Sequence, residues 1–286
     1  MARSGVTIHI HLSETECTNI PKRGHWVLNC DARAVARLEK LYSTPQIVDQ
    51  RRRLRGIVSA RPGESGLDVG CGVAFLACEL AGEVAPEGRI AAIDRSPASV
   101  QASKLRVAGE HLEKLVEVHV GDAIDLQFGD ETFDFVVGAQ VYGYVQDVAR
   151  AIREAARVLR KGGRLVVLES DWDMCIWQSR DRALTRRIIA ARGAAQFAHP
   201  HLPCELHRHL RAAGLSLSAV QSFSIIETRY DPDSFSMGLL EPLRDAALKQ
   251  GITEQEFVTW VADLRSMTSV GEWFFCLDRF VFTATK

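Results

Sequence analysis

The sequence predicts an α/β fold, a mostly parallel sheet with helices on both faces, and three observations carry that reading. From about residue 66 short apolar segments alternate with helically spaced ones. The first apolar segment runs straight into a glycine turn, "LDVGCGVAF" at 67–75. Acidic or glycine residues then recur at the ends of the apolar segments, where sheets of this kind bind their ligands.

In order, residues 1–60 read as a lead-in that is helical from Asp31 ("DARAVARLEKLY", then "TPQIVDQRRRLRGIV"). "SGLDVG" is a strand and "VAFLACELAGEV" a helix. "GRIAAID" is a second strand, and Ser96-Pro97 caps and starts the helix that follows. "LVEVHVGD" and "TFDFVVGAQ" are the third and fourth strands. "VQDVARAIREAARVLRKGG" is an amphipathic helix closed by basic residues and two glycines, before a fifth strand, "GRLVVLESD". "LSLSAVQSFSIIETRY" and "EWFFCLDRFVFTATK" read as two strands separated by two helices. One domain results: a lead-in at 1–60, a core at 61–228, a helical cap at 229–271 and a last strand at 272–286.

A length of 286 residues is enough for such a core, and 47% hydrophobic with 25% charged residues is ordinary for a soluble protein. A net charge of −1 offers no general attraction to nucleic acid or to an anionic membrane. No apolar run approaches the roughly 18 residues needed to span a bilayer, and the polar N-terminus lacks a signal-peptide core. Seven cysteines without a Cys-x-x-Cys pair read as free thiols in a reducing compartment. A cytoplasmic monomer or homodimer is the expectation, with a small-molecule substrate and neither nucleic acid nor membrane as partner.

The glycine turn alone suits more than one nucleotide-like ligand. Gly70 and Gly72 let backbone approach closely, but Phe75 stands where a dinucleotide fingerprint needs a third small residue. Asp94 ends the second strand, where a carboxylate can accept from both ribose hydroxyls. Asp122 follows the third strand and can accept from an adenine amine. Each aspartate is equally at home as a turn or helix-start residue.

Taken together, "LDVGCGVAF", "AAIDRS", "VGDA", "FDFVVGAQ" and "AARVLRKGGRLVVLE" resemble the class I S-adenosylmethionine-dependent methyltransferases, in the small-molecule branch with quinone-ring and arsenite methyltransferases. The resemblance covers about residues 40–175. It implies a Rossmann-like doubly wound sheet of seven strands whose last strand is antiparallel, and S-adenosylmethionine as cofactor. It places the backbone of Gly70, Cys71 and Gly72 against the amino-acid portion of the cofactor. Asp68 falls to the methionine ammonium, Asp94 to the ribose, Arg95 to the flank of the adenine, and Asp122 with Ala123 to the adenine edge. Ala139 and Gln140 close over the sulfonium, and Tyr42 and Arg51 are candidates for the carboxylate end. Ala74 departs from the family, which usually has a third glycine there.

The acceptor side is less determined. In "ESDWDMCIW", read as a loop after the fifth strand, Asp171 or Asp173 is a candidate general base; the alternative is a loop whose acids pair with the arginines of the next helix. Tyr142 and His199 are further catalytic candidates. Tyr144, Trp172, Trp177 and His201 are acceptor-side candidates, with ordinary core packing as the alternative for the aromatic three. "AHPHLPCELHRH" is rich in metal-ligand types, but its spacing sets no ligand geometry and no metal is expected. A magnesium-dependent catechol-type site is set aside, because Gly138-Ala139-Gln140 offers no acidic ligand. A thiol relay through Cys78 and Cys175 has no demonstrable convergence. The expected activity is methyl transfer to a small organic acceptor at carbon, nitrogen or oxygen. A nicotinamide-dependent oxidoreductase and a catalytically silent binding protein of the same fold are the alternatives.

Overall fold

The computed structural model describes residues 32–286. The first part of the lead-in, with Cys17 and Cys30, lies outside the described residues. Two helices come first, α1 (Ala32–Tyr42) and α2 (Pro45–Val58). Proline starts α2, and Ser59 ends it in the left-handed region at φ 51°. Next come β1 (Ser65–Val69), α3 (Phe75–Val84), β2 (Arg89–Asp94), α4 (Pro97–Gly109), β3 (Val116–Val120) and β4 (Phe133–Ala139). Ser96 caps α4 by accepting from the Ser99 N–H. A single 3₁₀ turn, Tyr142–Tyr144, leads to α5 (Val148–Val158), which Asp147 caps.

β5 (Leu159–Trp177), α6 (Arg182–Gln196), α7 (Leu202–Ala212) and β6 (Ser216–Glu227) follow. Then α8 (Phe235–Gly238), α9 (Leu240–Lys249) and α10 (Glu254–Ser269) lie between β6 and β7 (Phe275–Thr285). The sheet order is β3-β2-β1-β4-β5-β7-β6, with β7 antiparallel to both of its neighbours. This is the seven-stranded Rossmann-like arrangement that the sequence led one to expect.

Three details differ from the sequence reading. Residues 171–177 are strand rather than loop: β5 continues past a register irregularity between Ser170 and Cys175 and pairs Cys175, Ile176 and Trp177 with β7. Trp172, Cys175 and Trp177 are buried while Met174 and Ile176 are exposed, the alternation of a strand with one covered face. α5 stops at Val158, because the following Arg-Lys-Gly-Gly already belongs to β5. The segment between β6 and β7 holds a single turn, α8, besides the two helices expected.

Core side chains pack on both sheet faces. One set lies under α5 and α7 (Val136, Ile152, Leu206), the other under α2, α3 and α4 (Leu54, Leu80, Val137). A third cluster joins the ends of β5 and β7 to α6, α9 and α10, with Trp177, Trp260 and Phe275 at its centre. Among the described residues no helix is long and apolar enough to cross a membrane, and the five described cysteines are free.

Candidate cofactor and acceptor site

The chain runs outward from β1 through β2 to β3 and then returns to the other side of β1 with β4. The crevice of such a sheet opens at that reversal, between the carboxyl ends of β1 and β4. The turn after β1 is shaped for a close approach. Gly70 has φ +70°, and a Cβ there would lie 2.3 Å from a Val141 methyl in the turn after β4. Gly72 has φ +58° and faces the Tyr42 ring. Ala74, which caps α3, is also left-handed at φ 60° and fully buried. That backbone accounts for the glycine usual in the family, since an L side chain there is strained by roughly 1–2 kcal/mol.

Acidic groups surround this turn. Asp68 is buried in β1, and its Oδ2 has no hydrogen-bond partner among the described residues. Burial, then the nearby Asp94 charge, raises its pKa to about 8. Asp94 accepts from the Gly72 N–H at 3.0 Å and from the Ser96 N–H at 2.8 Å, tying the glycine turn to the start of α4. Burial raises its pKa as well, against the pull of those two donors. Asp122 accepts from the Ile124 N–H and lies 3.6 Å from Arg95, whose side chain is largely exposed. Ala123 is buried beside it. The Cys71 N–H donates to Ile93 O, and burial pushes its thiol well above the usual range.

Arg51 and Tyr42 enclose the turn from the lead-in. Arg51 is committed to the protein: it bonds Glu79 at 3.0 Å and the Tyr42 carbonyl at 2.5 Å, and it lies 4.6 Å over the Phe75 ring. Arg106 covers the same ring at 3.6 Å, so Phe75 is a rigid wall of α3.

At the end of β4, Ala139 is half-buried, and Gln140 takes φ 58° and accepts from the Ser170 hydroxyl. The next three N–H groups, of Val141, Tyr142 and Gly143, all converge on one oxygen of Glu169. Burial raises the Glu169 pKa to about 7, and those donors hold it from going higher. Sequence reasoning gave Glu169 no role. A carboxylate closing an apolar strand, "VVLES", was the sign available. Tyr142 is fully buried with an unpartnered hydroxyl, and burial raises its pKa.

The acceptor side is aromatic and cationic. Tyr144 stacks on Phe197 at 4.4 Å, and Trp172 lies 5.2 Å from the same ring. Arg192 of α6 sits 4.0 Å over Trp172, and Arg279 of β7 sits 5.0 Å over Phe235; both arginines are buried. Trp177 lies elsewhere, in the third core cluster against Trp260, Trp273 and Phe275, with its N–H on Cys175.

The remaining candidates meet at the base of α7. Asp171 is buried and bonds His201 Nδ1 at 2.9 Å, and the Cys204 thiol points to its other oxygen. Ligand atoms of Asp171, Asp173 and His201 all lie within 4.8 Å of one another, a convergence the spacing did not reveal. Asp173 and His201 are exposed. The bond to Asp171 raises the His201 pKa. His199 instead holds the turn after β4: its N–H donates to Gly143 O, and its Nε2 lies 3.2 Å from Gln146 O.

Comparisons with known proteins agree with this geometry. Residues 67–167 match the family model described as a methyltransferase domain. The chain is 39% identical over 158 residues to an uncharacterised 37.1 kDa protein in transposon TN4556 of Streptomyces fradiae, covering 54% of this chain and 45% of that one. It is 37% identical over 110 residues to a demethylmenaquinone methyltransferase of Symbiobacterium thermophilum, covering 38% of this chain and 44% of that one. The chain thus spans about half the length of the curated relatives it matches. A Haemonchus contortus phosphoethanolamine N-methyltransferase, solved with S-adenosylhomocysteine and phosphomonomethylethanolamine, shares the fold. Its TM-score is 0.58 at 16% identity, covering 89% of this chain and 57% of that one. With the motif set, the strand order and the family match in agreement, residues 67–167 carry a methyltransferase domain within a Rossmann-like sheet.

Proposed function

We propose that the chain moves a methyl group from S-adenosylmethionine to a small organic acceptor with an apolar or aromatic body, at carbon, nitrogen or oxygen, in the cytoplasm. The observation that carries the reading is the cradle at the reversal point. There, two left-handed glycines lie beside a buried, unpartnered Asp68 oxygen and a carboxylate, Asp94, fixed to the turn itself.

The residues fit the cofactor chemically. Asp68 Oδ2 is a buried acceptor that an ammonium would satisfy. A carboxylate has about four acceptor positions, so Asp94 can take ribose hydroxyls beside its two backbone donors. Gly70, Cys71 and Gly72 offer backbone, Asp122 and Ala123 meet the adenine edge, Arg95 flanks it, and Ala139 with Gln140 borders the reacting side. Tyr42 faces the turn, and Arg51 positions Tyr42. When bound, the cofactor supplies a methyl on a sulfonium, so the protein's task is to align an acceptor and exclude water.

Of the acid–base candidates, His201 oriented by Asp171 is the best prepared to move a proton, as a base held in one tautomer by its carboxylate. Tyr142, its pKa raised, stays protonated and serves as a donor. His199 and Asp173 take supporting parts. The relationship to demethylmenaquinone methyltransferases supports a ring-bearing acceptor, and the Tyr144–Phe197–Trp172 wall suits one.

Calorimetric titration of S-adenosylmethionine and S-adenosylhomocysteine into the wild type and Asp94→Ala tests the assignment. Micromolar affinity corresponds to about −8 kcal/mol, and loss of the carboxylate is expected to remove roughly 1.5–3 kcal/mol of it. A folded wild type that binds neither compound overturns the proposal.

A further inference from the structure

Two buried guanidiniums, of Arg192 and Arg279, lie on the candidate acceptor side. Arg192 and Arg279 are 6% and 5% exposed, and neither forms an ion pair among the described residues. Arg192 keeps Nε and Nη1 without a hydrogen-bond partner, and Arg279 keeps Nε. Their existing contacts are weak substitutes for a carboxylate. Arg192 lies over Trp172 and beside the Tyr144 hydroxyl, while Arg279 lies over Phe235 and donates to Gln50. The two are close enough to repel, and both interact with Tyr144. Burial, the largest cause, depresses both pKa values, that of Arg279 to about 10.

A buried cation left in this condition is destabilising, and such groups are retained where something else satisfies them. Arg37, the other cation near Arg192, is already paired with Glu241. Glu169 is the carboxylate that acts on Arg279, and one of its oxygens is committed to three backbone donors. At most one carboxylate charge faces the two cations, so at least one positive charge is left over. The surroundings link this charge to the site: Tyr144 follows the β4 turn, and Tyr42, which interacts with Arg279, faces Gly72. Guanidinium forks match carboxylate and phosphate oxygens, and a singly charged group is enough to offset one unpaired guanidinium.

We propose that Arg192 and Arg279 form the recognition site for a carboxylate carried by the methyl acceptor, whose apolar or aromatic body rests against Tyr144, Trp172, Phe197 and Phe235. This rests on the methyltransferase reading above. The arginines select and orient the acceptor; the methyl-accepting atom is elsewhere on the same molecule.

The test uses the full chain saturated with S-adenosylhomocysteine. Benzoate, phenylacetate and indole-3-acetate are titrated beside their primary amides, with phenyl phosphate as the alternative anion. At least one carboxylate is expected to bind ten-fold or more tightly than its amide. Arg192→Met and Arg279→Met are each expected to weaken that carboxylate 10- to 100-fold while S-adenosylhomocysteine affinity stays within three-fold of the wild type. Equal binding of acids and amides, or none by any probe while S-adenosylhomocysteine binds, overturns the proposal and leaves the methyltransferase reading standing. Phenyl phosphate binding more tightly than every carboxylate overturns the carboxylate assignment. If the variants lose S-adenosylhomocysteine instead, the arginines hold the cofactor's own carboxylate and the proposal fails. The acid–amide comparison needs only the wild type, so it decides even where a variant does not fold.

Discussion

The two ends of the sheet treat their charges in opposite ways. At the amino ends of the strands a surface groove is lined by Glu64, Asp134, Arg160 and Arg164, and every one of these is paired. Arg164 forks onto Glu64 at 2.7 and 3.0 Å and also bonds the Val58 and Ser59 carbonyls. At the carboxyl ends Asp68 Oδ2, the Tyr142 hydroxyl, Arg192 Nε and Nη1, and Arg279 Nε are buried without hydrogen-bond partners among the described residues. Structural charge is satisfied within the chain, whereas charge kept for a ligand is satisfied only when the ligand arrives.

The largest effect expected from this contrast concerns pH. Asp68 and Glu169 have folded pKa values raised to about 8 and about 7, above their unfolded values. Over the interval between the unfolded and folded values the native state binds more protons than the unfolded state, so stability falls as pH rises. Urea titrations from pH 5 to pH 8 are expected to show a decline on the order of several kcal/mol. Asp68→Asn should flatten most of that slope; an unchanged slope would mean that Asp68 is ionised in the free protein. If an ammonium meets Asp68, S-adenosylhomocysteine binding at pH 7 should release up to one proton, read by calorimetry in buffers of different ionisation enthalpy.

Removing a paired charge comes next. Arg164→Met leaves Glu64 without its partner and is expected to cost about 2–3 kcal/mol of unfolding free energy, with S-adenosylhomocysteine affinity unchanged. Loss of cofactor affinity without loss of stability would erase the distinction between the two ends.

The smallest effect sharpens the cradle itself. Ala74→Gly relieves a left-handed alanine but frees the unfolded chain, so a net gain of up to about 1 kcal/mol is expected in chemical denaturation. A loss of stability would show that the Ala74 methyl contributes more through packing than its backbone costs.

How far the sequence carried these conclusions depends on the range of the interactions. The cradle at the end of β1 was legible because strand, turn and helix are consecutive there, so the spacing alone brings Gly70, Gly72 and Asp94 forward as candidates. The acceptor half was not. Arg192 and Arg279 meet through α6 and β7, and nothing local marks either as buried. Asp171 and His201 are brought together only because β5 runs on beside the start of α7. The extension of β5 was missed for a related reason: a strand edge needs a partner, and that partner, β7, lies far along the chain.

Glu227 and Phe275, the last residue of β6 and the first of β7, are register partners in the sheet. The polypeptide therefore leaves and re-enters the sheet at a single point, and everything between these two residues hangs from what would otherwise be an ordinary hairpin. What holds the excursion is packing and not pairing: Trp260 of α10 lies against Trp177 at the end of β5, and Phe235 against Phe275 at the start of β7. The two parts of the molecule are thus tethered differently: β1–β4 are fixed by ladders across the sheet, whereas the helices between β6 and β7 are fixed by aromatic packing at the strand ends.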